Sequence, residues 1–495
     1  MEDPSVEKDE NTLDDLIELD GETFLSPQER EERQAAELRA QRRKRWRDRA
    51  PADDDEMPKK QPRPPEATHP PKEAKPEKQK VDPEATEPAF NMFSDSVSPA
   101  RPTESVQVVG TGADHSQQED WDDADGYYKA VIGETIELMG ATVRVRVAGV
   151  MGRGVFSTVL KCATVSNESA VALPPTMALK CIRHNDTMAK AAVQELEILL
   201  KLKGSPGIVP LLLPTSMQSP LEHRGHFLLL FDFMQYNLRD VLQKFGKGVG
   251  VAIQAVRSYF GQLLAAATHL KKHSIIHADL KPDNILVSAD FSVLQLADFG
   301  SAMYATDAEH QEPTPYLVSR FYRSPEIILG IPPTYASDLW SLAVTAAELF
   351  LGDVLFRGTS NNHMLHVGMQ RLGPMPNRVI RQHVVQCQKF PIPRHFEAVD
   401  GGTGYQFLQQ TTDPVSGQPM VRFQAMATLT AASSTLSSQI RKARSSSDSK
   451  TVVSRFADLL QQCLNLDATR RIGLRDALQH AFFHAEATPA AETTN

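Results

Sequence analysis

The hydrophobic positions before residue 236 follow the short period of β-strands. Four short runs of branched and apolar residues are separated by turn residues, and a fifth run, 227–233, is almost wholly apolar. The four runs cover residues 136–138, 143–147, 156–163 and 177–182. Residues 186–202 differ, because their apolar residues recur every three or four positions, as on one face of a helix.

After residue 236 the helical period dominates, at 250–273, 336–351, 361–371 and 452–465. The pattern predicts an α+β fold of two lobes, a small β-rich lobe at 126–235 and a large helical lobe at 236–485. A flexible tail follows at 486–495. Residues 401–450 hold paired glycines and a run rich in Ser and Thr, so we expect a mobile surface insertion there.

Residues 1–125 have a different composition. They contain 14 prolines and carry a net charge of −15, so we predict a disordered arm that buries too little apolar surface to order itself. Within the arm, residues 39–49 form a basic block around Trp46. A solvated charged helix, a nuclear-import signal and an RNA or partner contact are all open interpretations of this block.

Composition narrows the class of protein and its compartment. The 53 Lys and Arg residues against 62 Asp and Glu residues give a net charge of −9. The negative charge is confined to the arm, because the rest of the chain carries +6. There is no apolar run of 18 residues and no apolar segment at the acidic start of the chain. Four widely spaced cysteines predict reduced thiols. We expect a protein of the cytosol or nucleus, without membrane or DNA partners.

The segment 277–284 (HADLKPDN) carries the chemistry of phosphoryl transfer. Asp279 supplies a carboxylate, Lys281 a cation and Asn284 an amide, and Asp298 follows as a second carboxylate before Phe299 and a glycine. Phosphoryl transfer needs a group that takes the proton of the acceptor hydroxyl, a positive charge for the phosphoryl group and oxygen ligands for a metal. Asn284 and Asp298 suit Mg²⁺, which takes few protein ligands.

In this order and spacing the residues resemble the eukaryotic protein kinases, over roughly residues 140–485. The resemblance implies a bilobal kinase fold with ATP and Mg²⁺ as cofactors. It also implies roles for four residues: Asp279 is the catalytic base, Lys281 contacts the phosphates, and Asn284 and Asp298 are the metal ligands. Since all parts of the machinery are present, we predict an active enzyme and not a pseudokinase scaffold.

The resemblance extends to the ATP-binding residues of the small lobe. Lys180 matches the strand lysine that contacts the phosphates, and Glu195 on the following helix matches its ion-pair partner. A serine, Ser157, stands where the third glycine of the glycine-rich loop is usual, so a simple turn is the alternative for that loop. The loop residues that we expect over the phosphates are Gly152, Arg153, Gly154, Val155, Phe156, Ser157 and Val159.

Other matches concern the hinge and the large lobe. Phe231 resembles the gatekeeper, while Asp232 and Met234 resemble the hinge residues whose backbone contacts adenine. In the large lobe we expect Arg471 to pair with Glu326, and the segment that begins at Asp338 to form the buried helix that anchors the catalytic loop.

One departure from the family pattern concerns activation. Ala278 replaces the usual arginine of the catalytic loop, which pairs with a phosphorylated activation-segment residue in the family. The segment instead offers Tyr316, with Arg320 and Arg323 after it. We hypothesise that phosphorylated Tyr316 docks on one of these arginines. Packing of Tyr316 as an ordinary aromatic residue is the alternative.

The stretch 314–323 resembles the group that contains the cyclin-dependent, mitogen-activated, Clk and dual-specificity tyrosine-regulated kinases (the CMGC group). Within it, residues 125–128, 154–157, 277–279 and 314–323 resemble the kinases of pre-mRNA processing, which implies a nuclear serine/threonine kinase whose substrates are splicing factors of the spliceosome. A Clk-like or dual-specificity signalling kinase is the alternative. A third possibility is that the arm is the working part of the protein, as a tether for RNA or protein.

Overall fold

The computed structural model describes residues 122–484, except 124, 155, 170–171, 215, 218, 247, 400–403, 413–417 and 430–434. The predicted arm, including its basic block at 39–49, lies outside the described residues apart from its last few positions. The predicted tail at 486–495 also lies outside them. No helix in the described part is long and apolar enough to cross a membrane.

The small lobe is built on an antiparallel sheet of six strands. The strands are Thr135–Leu138 (β1), Val143–Arg153 (β2), Ser157–Asn167 (β3), Thr176–Ile182 (β4), Leu221–His223 (β5) and His226–Asp232 (β6). They lie in the order β1-β2-β3-β4-β6-β5. In β2, valines 143, 145 and 147 are buried while Arg144 and Arg146 are exposed, so the alternating sequence places one face of the sheet in the core.

One helix, Asp186–Lys201 (α1), belongs to the small lobe. It starts where the Asn185 side chain accepts a hydrogen bond from the backbone of Thr187, which satisfies a free N–H at the helix end. The apolar side chains that the sequence places on one face, among them Leu196 and Leu199, are buried. Glu195 lies on the same buried side, which is unusual for a carboxylate and singles it out.

The large lobe is mainly helical, with short strands that carry the loops between the lobes. Its helices are Leu238–Val241 (α2), Ile253–Lys272 (α3), Ala305–His310 (α4), Pro325–Ile328 (α5), Tyr335–Leu351 (α6), Asn361–Leu372 (α7), Asn377–Lys389 (α8), Leu436–Lys442 (α9), Lys450–Cys463 (α10) and Leu474–Leu478 (α11). Its strands are Tyr236–Asn237 (β7), Ile275–Ile276 (β8), Ile285–Val287 (β9), Leu294–Leu296 (β10), Met303–Tyr304 (β11), Phe396–Ala398 (β12), Tyr405–Thr412 (β13) and Pro419–Ala425 (β14).

Helix α6 forms the centre of this lobe and is buried on all sides from Ser337 to Phe350. It begins at Thr334, whose side chain caps the first turn, and ends at Gly352. Gly352 has a positive φ of 72°, and a Cβ there would lie 2.3 Å from the carbonyl oxygen of Gly246. Only glycine fits this helix end, so the sequence fixes where α6 stops.

The predicted bilobal α+β fold is confirmed, and so are the strands and helices that the hydrophobic periods indicate. Within the predicted insertion at 401–450, the described residues form regular elements, since β13 pairs with β14 and α9 follows. The mobility of the insertion stays a prediction. Part of the Ser/Thr run serves as helix caps, since the side chains of Thr435 and Ser449 accept hydrogen bonds at the starts of α9 and α10.

Candidate active site

Three ionisable side chains that are distant in sequence meet where the two lobes join. Lys180 on β4 places its Nζ 2.7 Å from Glu195 Oε1, 2.9 Å from Glu195 Oε2 and 2.8 Å from Asp298 Oδ1. The side chains of Lys180 and Glu195 are only 7% and 3% exposed, whereas that of Asp298 is 40% exposed. The buried pair therefore holds the ammonium group in place beside a carboxylate that solvent reaches.

The charges of Lys180 and Asp298 stabilise one another. Burial alone would lower the pKa of Lys180, but the carboxylates of Asp298 and Glu195 outweigh it and raise the pKa above its usual value. Burial likewise acts to raise the pKa of Asp298, and the Lys180 ammonium outweighs it and lowers the pKa to about 2. Lys180 is thus a cation and Asp298 an anion throughout the physiological pH range.

Asp298 is held in an unusual backbone conformation, with a positive φ of 60°. The residues after it form a 3₁₀ turn, Phe299–Ser301, in which Phe299 is buried and packs 4.7 Å from the ring of His277. A Cβ on Gly300 would lie 3.4 Å from both the Asp298 and the Glu195 carboxylates. The glycine therefore leaves the space in which the two acids approach Lys180.

The catalytic-loop residues form a second cluster around Asp279. Asn284 Nδ2 donates to Asp279 Oδ2 over 3.2 Å and to the Asp279 carbonyl over 2.9 Å. Lys281 Nζ lies 3.3 Å from Asp279 Oδ2. The structure thus brings together the three side chains of segment 277–284 that the sequence singles out.

Ser319 completes this cluster and was missed by the sequence analysis as a site residue. Its backbone N–H and its hydroxyl lie 3.1 Å and 3.0 Å from Asp279 Oδ1, and Lys281 Nζ donates to its Oγ over 3.0 Å. Ser319 is only 3% exposed. The only signal in the sequence is its place in the stretch 314–323, which does not reveal a contact with Asp279.

The catalytic loop is anchored from below by Asp338 on α6. Its carboxylate accepts hydrogen bonds from the backbone N–H of His277 over 2.8 Å and of Ala278 over 3.0 Å. Ala278 has a positive φ of 60° and is buried. Because a non-glycine residue is strained in this conformation, the two hydrogen bonds have to hold the loop in shape. This is the anchoring expected for the helix that begins near Asp338.

The end of β2 and the start of β3 form the predicted glycine-rich loop, although Val155 lies outside the described residues. The backbone N–H of Gly154 donates to the carbonyl of Ser157 over 2.9 Å and closes the turn. In the register of the sheet, Val159 pairs with both Gly152 and Lys180. The loop is therefore placed on the strand that neighbours the lysine.

Two other loop residues have contacts of their own. The Arg153 side chain pairs with Asp123, outside the loop. Phe156 packs against a small apolar cluster that includes Ile182 and Met188.

The predicted hinge follows β6, which pairs with β4. Phe231 lies opposite Ala178 in this register and is 8% exposed. Asp232, the last residue of β6, accepts a hydrogen bond from the backbone of Phe233 on its own side chain, and Met234 follows directly. Phe231 and Asp232 thus lie on the strand next to the one that carries Lys180, and Met234 lies two residues after its end.

The activation-segment residues are placed close together. Arg323 is buried, donates to the carbonyl oxygens of Leu317 and Val318, and has its guanidinium 5.6 Å from the ring centroid of Tyr316. Burial lowers the pKa of Arg320. Because backbone carbonyls already engage Arg323, a phosphate on Tyr316 would have to compete with them for this arginine.

Two ionic groups support the large lobe, one fully buried and one partly exposed. Arg471 binds Glu326 through two contacts of 2.6 Å, as expected from the sequence. The second group was missed: Arg239 donates to Tyr322 Oη over 2.7 Å, and that hydroxyl donates to Glu348 over 2.6 Å. Sequence spacing gives no sign of it, since its members come from three separate segments.

The oxygen donors suit a hard cation that takes most of its ligands from elsewhere. Among the described residues, no group of three or more His, Cys, Asp or Glu side chains could hold a metal ion by itself. Asn284 uses Nδ2 as a donor to Asp279, so its oxygen is the atom that it can offer, and Asp298 offers a solvent-accessible carboxylate. Two such oxygen donors with phosphate and water ligands fit Mg²⁺.

Comparison with known proteins gives a match to the protein kinase domain over residues 145–483. The chain is 34% identical over 410 residues to the serine/threonine-protein kinase prp4 of Schizosaccharomyces pombe, covering 79% of this chain and 77% of that protein. It is 32% identical over 420 residues to the serine/threonine-protein kinase prpf4B of Dictyostelium discoideum, covering 80% and 47%. The human dual specificity tyrosine-phosphorylation-regulated kinase 4 is 31% identical over 323 residues, covering 61% and 58%.

Proposed function

The chain belongs to the protein kinase family and is a serine/threonine kinase, and we propose that it uses Mg²⁺-ATP to phosphorylate splicing proteins in the nucleus. The observation that carries the catalytic part of this proposal is the meeting of Lys180, Glu195 and Asp298 beside the Asp279 cluster. Similarity to the kinases prp4 and prpf4B, together with the resemblance to pre-mRNA-processing kinases, supports the choice of splicing proteins.

The residues take distinct parts in binding ATP. Lys180, fixed by Glu195, neutralises the phosphates, and the glycine-rich loop of residues 152–159 covers them. Asp232 ends β6 and Met234 lies two residues after it. We expect the backbone of these two hinge residues to contact the adenine. Asn284 and Asp298 would hold Mg²⁺, which neutralises the charge that develops on the phosphate oxygens when it is bound.

Asp279 and Lys281 act on the transferred group. The serine or threonine hydroxyl of the substrate donates its proton to the Asp279 carboxylate as its oxygen forms a bond to the γ-phosphorus, and the bond from that phosphorus to the β–γ bridging oxygen breaks. Lys281 places a positive charge beside the migrating phosphoryl group. Ser319 fixes the direction of the Asp279 carboxylate through its two hydrogen bonds.

Replacing Asp279 by Asn tests the catalytic assignment. We expect kcat on a protein substrate to fall by about 10²- to 10⁴-fold, the usual contribution of general base catalysis, while ATP still binds. Asp290→Asn is the matched control, because Asp290 is an exposed turn residue whose carboxylate accepts hydrogen bonds from the neighbouring Ser288 and Ser292. Full activity of the Asp279→Asn enzyme would remove Asp279 from the mechanism.

The splicing assignment needs a test in cells. Replacing the gene by one that encodes Asp279→Asn and comparing phosphopeptides should show losses concentrated in splicing proteins. Losses spread over signalling proteins would instead favour the alternative of a Clk-like or dual-specificity kinase, which the similarity to the human dual specificity kinase keeps open. Deletion of the basic block at 39–49 and imaging of the protein test nuclear import.

Phosphorylation of Tyr316 is part of the proposal. The hypothesis is that a phosphate on Tyr316 orders the activation segment through Arg320 or Arg323. Mass spectrometry of the active enzyme checks it. An enzyme with unmodified Tyr316 and normal activity would show that the tyrosine only packs against Arg323.

A further inference from the structure

A short segment ahead of the first strand lies on the small lobe and outside the residues matched to the kinase domain. It consists of residues 122–123 and 125–128, and we call it the strap. Asp122 and Tyr128 form an antiparallel bridge across it, and the Asp123 carboxylate accepts hydrogen bonds from the backbone of Asp125 and Tyr127, each 2.9 Å. The strap is therefore a closed turn and not an extended linker.

One end of the strap is fixed to the small lobe by two histidines. Asp122 Oδ1 lies 2.6 Å from Nε2 of His226, which is buried, and Asp122 Oδ2 lies 2.8 Å from Nδ1 of His184. The Tyr128 ring is buried, and its hydroxyl donates to Glu134 over 2.9 Å. These contacts join the strap to the segment after β4, to the start of β6 and to the residue before β1.

The other end of the strap holds Arg153, the last residue of β2 and a member of the glycine-rich loop. Asp123 Oδ2 forms an ion pair with this guanidinium, whose central carbon also lies 3.8 Å from the centroid of the Tyr127 ring. Arg183 stacks on the same ring at 4.9 Å, and its backbone N–H donates to the carbonyl of Phe156 in the loop. The strap thus reaches the loop by a side chain and, through Arg183, by the backbone.

We propose that the strap positions the glycine-rich loop for ATP through Arg153, with Asp123 and Tyr127 as positioning residues. The inference rests on the proposed function, in which this loop covers the ATP phosphates. A glycine-rich backbone loses much conformational freedom when it is ordered, so a contact that orders it beforehand makes binding tighter. The strap would therefore act on ATP affinity and leave the chemical step alone.

The size of the effect follows from the exposure of the contact. The Arg153 side chain is 48% exposed, so solvent screens its ion pair with Asp123 and reaches the guanidinium that lies over the buried Tyr127 ring. Losing one of these interactions should weaken ATP binding by about threefold, and losing both by about tenfold.

The test uses the full-length chain with Asp123→Ala and with Tyr127→Leu, and a Tyr127→Phe variant that keeps the ring. We expect the Kd and KM for Mg²⁺-ATP to rise by about threefold in the first two variants and to stay unchanged in Tyr127→Phe, with kcat and the protein-substrate KM within about twofold of wild type. Glu137→Ala is the matched control, because Glu137 pairs with Arg144 on the same strand β2, far from the loop.

A double-mutant cycle separates positioning from a general loss of stability. In an Arg153→Ala background, Asp123→Ala should add nothing to the ATP Kd, because the group it holds is already gone.

Three results would overturn the proposal. They are an unchanged ATP Kd in Asp123→Ala, an equal effect of Asp123→Ala in the Arg153→Ala background, and a rise in KM that only follows a lower melting temperature. Failure of the proposed function is distinct, since the wild-type chain itself would then fail to bind Mg²⁺-ATP, and that result would overturn both proposals.

Discussion

Ser319 belongs to the site although it takes no direct part in the proposed reaction. Its hydroxyl and backbone N–H contact one oxygen of Asp279, and its Oγ also accepts a hydrogen bond from Lys281. Asp279 and Lys281, the proposed base and the proposed cation beside the transferred group, are therefore held by one buried side chain. The free energy involved is that of hydrogen bonds to charged groups, about 1.5–3 kcal/mol each.

Removal of this hydroxyl should slow the chemical step. We expect Ser319→Ala to lower kcat by about tenfold or more, since 1.4 kcal/mol corresponds to a factor of ten, with little change in the KM for ATP. Ser319→Thr keeps the hydroxyl and should retain most of the activity. Steady-state kinetics on a peptide substrate measures both variants, and a Ser319→Ala enzyme as fast as wild type would show that Asp279 is oriented without it.

The predictability of single residues depends on how far apart their contacts lie in the sequence. Asp279, Lys281 and Asn284 could be singled out from sequence because one short segment holds all three. The pairing of Lys180 with Glu195 could be expected only from the family resemblance. Ser319 and Arg239 could not be found, because their contacts come from the packing of segments that carry no shared pattern.

At the scale of elements, helix α5 and the segment before α11 are joined by the ion pair of Glu326 and Arg471. The Arg471 side chain is fully buried, and Glu326 also accepts a hydrogen bond from Ser337 at the start of α6. Arg471 donates in addition to the carbonyl of Ala336. This pair links three elements. The largest loss of stability is expected when one partner is removed and the other stays buried and charged.

The single and double variants of this pair should differ sharply. We expect Arg471→Met to lower the free energy of unfolding by about 3–5 kcal/mol, because it leaves the Glu326 carboxylate buried without a counter-charge. The double variant Glu326→Gln with Arg471→Met should recover a substantial part of that loss. Urea denaturation followed by circular dichroism measures the three proteins, and equal loss in the single and double variants would contradict this account.

The insertion at 401–450 contains elements that the sequence does not predict. The paired glycines and the Ser/Thr run predict a mobile surface insertion, and among its described residues Phe407 on β13 is completely buried and stacks on His366 of α7. A single large aromatic side chain can fix a hairpin when tertiary packing gives it a partner. Strands β2 to β4 were predictable because their own alternation already defines a buried face.

At the scale of the whole molecule, buried neutral histidines make stability depend on pH. His395 lies before β12 and stacks on His383 of α8, with ring centroids 5.5 Å apart. Burial disfavours the charged ring and, with the neighbouring His383, lowers the pKa of His395 to about 3. In the unfolded chain the value is about 6.5, so the unfolded state binds more protons below that pH.

The contribution of neutral His395 to the free energy of unfolding should therefore be fully present above about pH 6.5. It should fall as the pH is lowered toward 3, by up to about 1.4 kcal/mol per pH unit. Unfolding free energies at pH 7.5, 6.5 and 5.5 measure the slope. His395→Gln should reduce it, whereas His310→Gln, at an exposed position of α4, should leave it as in wild type. Identical slopes in all three proteins would mean that other groups cause the acid sensitivity.

The proposed activity requires that the two clusters around Lys180 and Asp279 enclose one nucleotide. A crystal structure of the protein with Mg²⁺ and a non-hydrolysable ATP analogue tests this most directly. We predict a metal ion bound by Asn284 and Asp298, phosphates on Lys180, and the γ-phosphate facing Asp279. A nucleotide bound elsewhere, or a metal ion that touches neither Asn284 nor Asp298, would contradict the account.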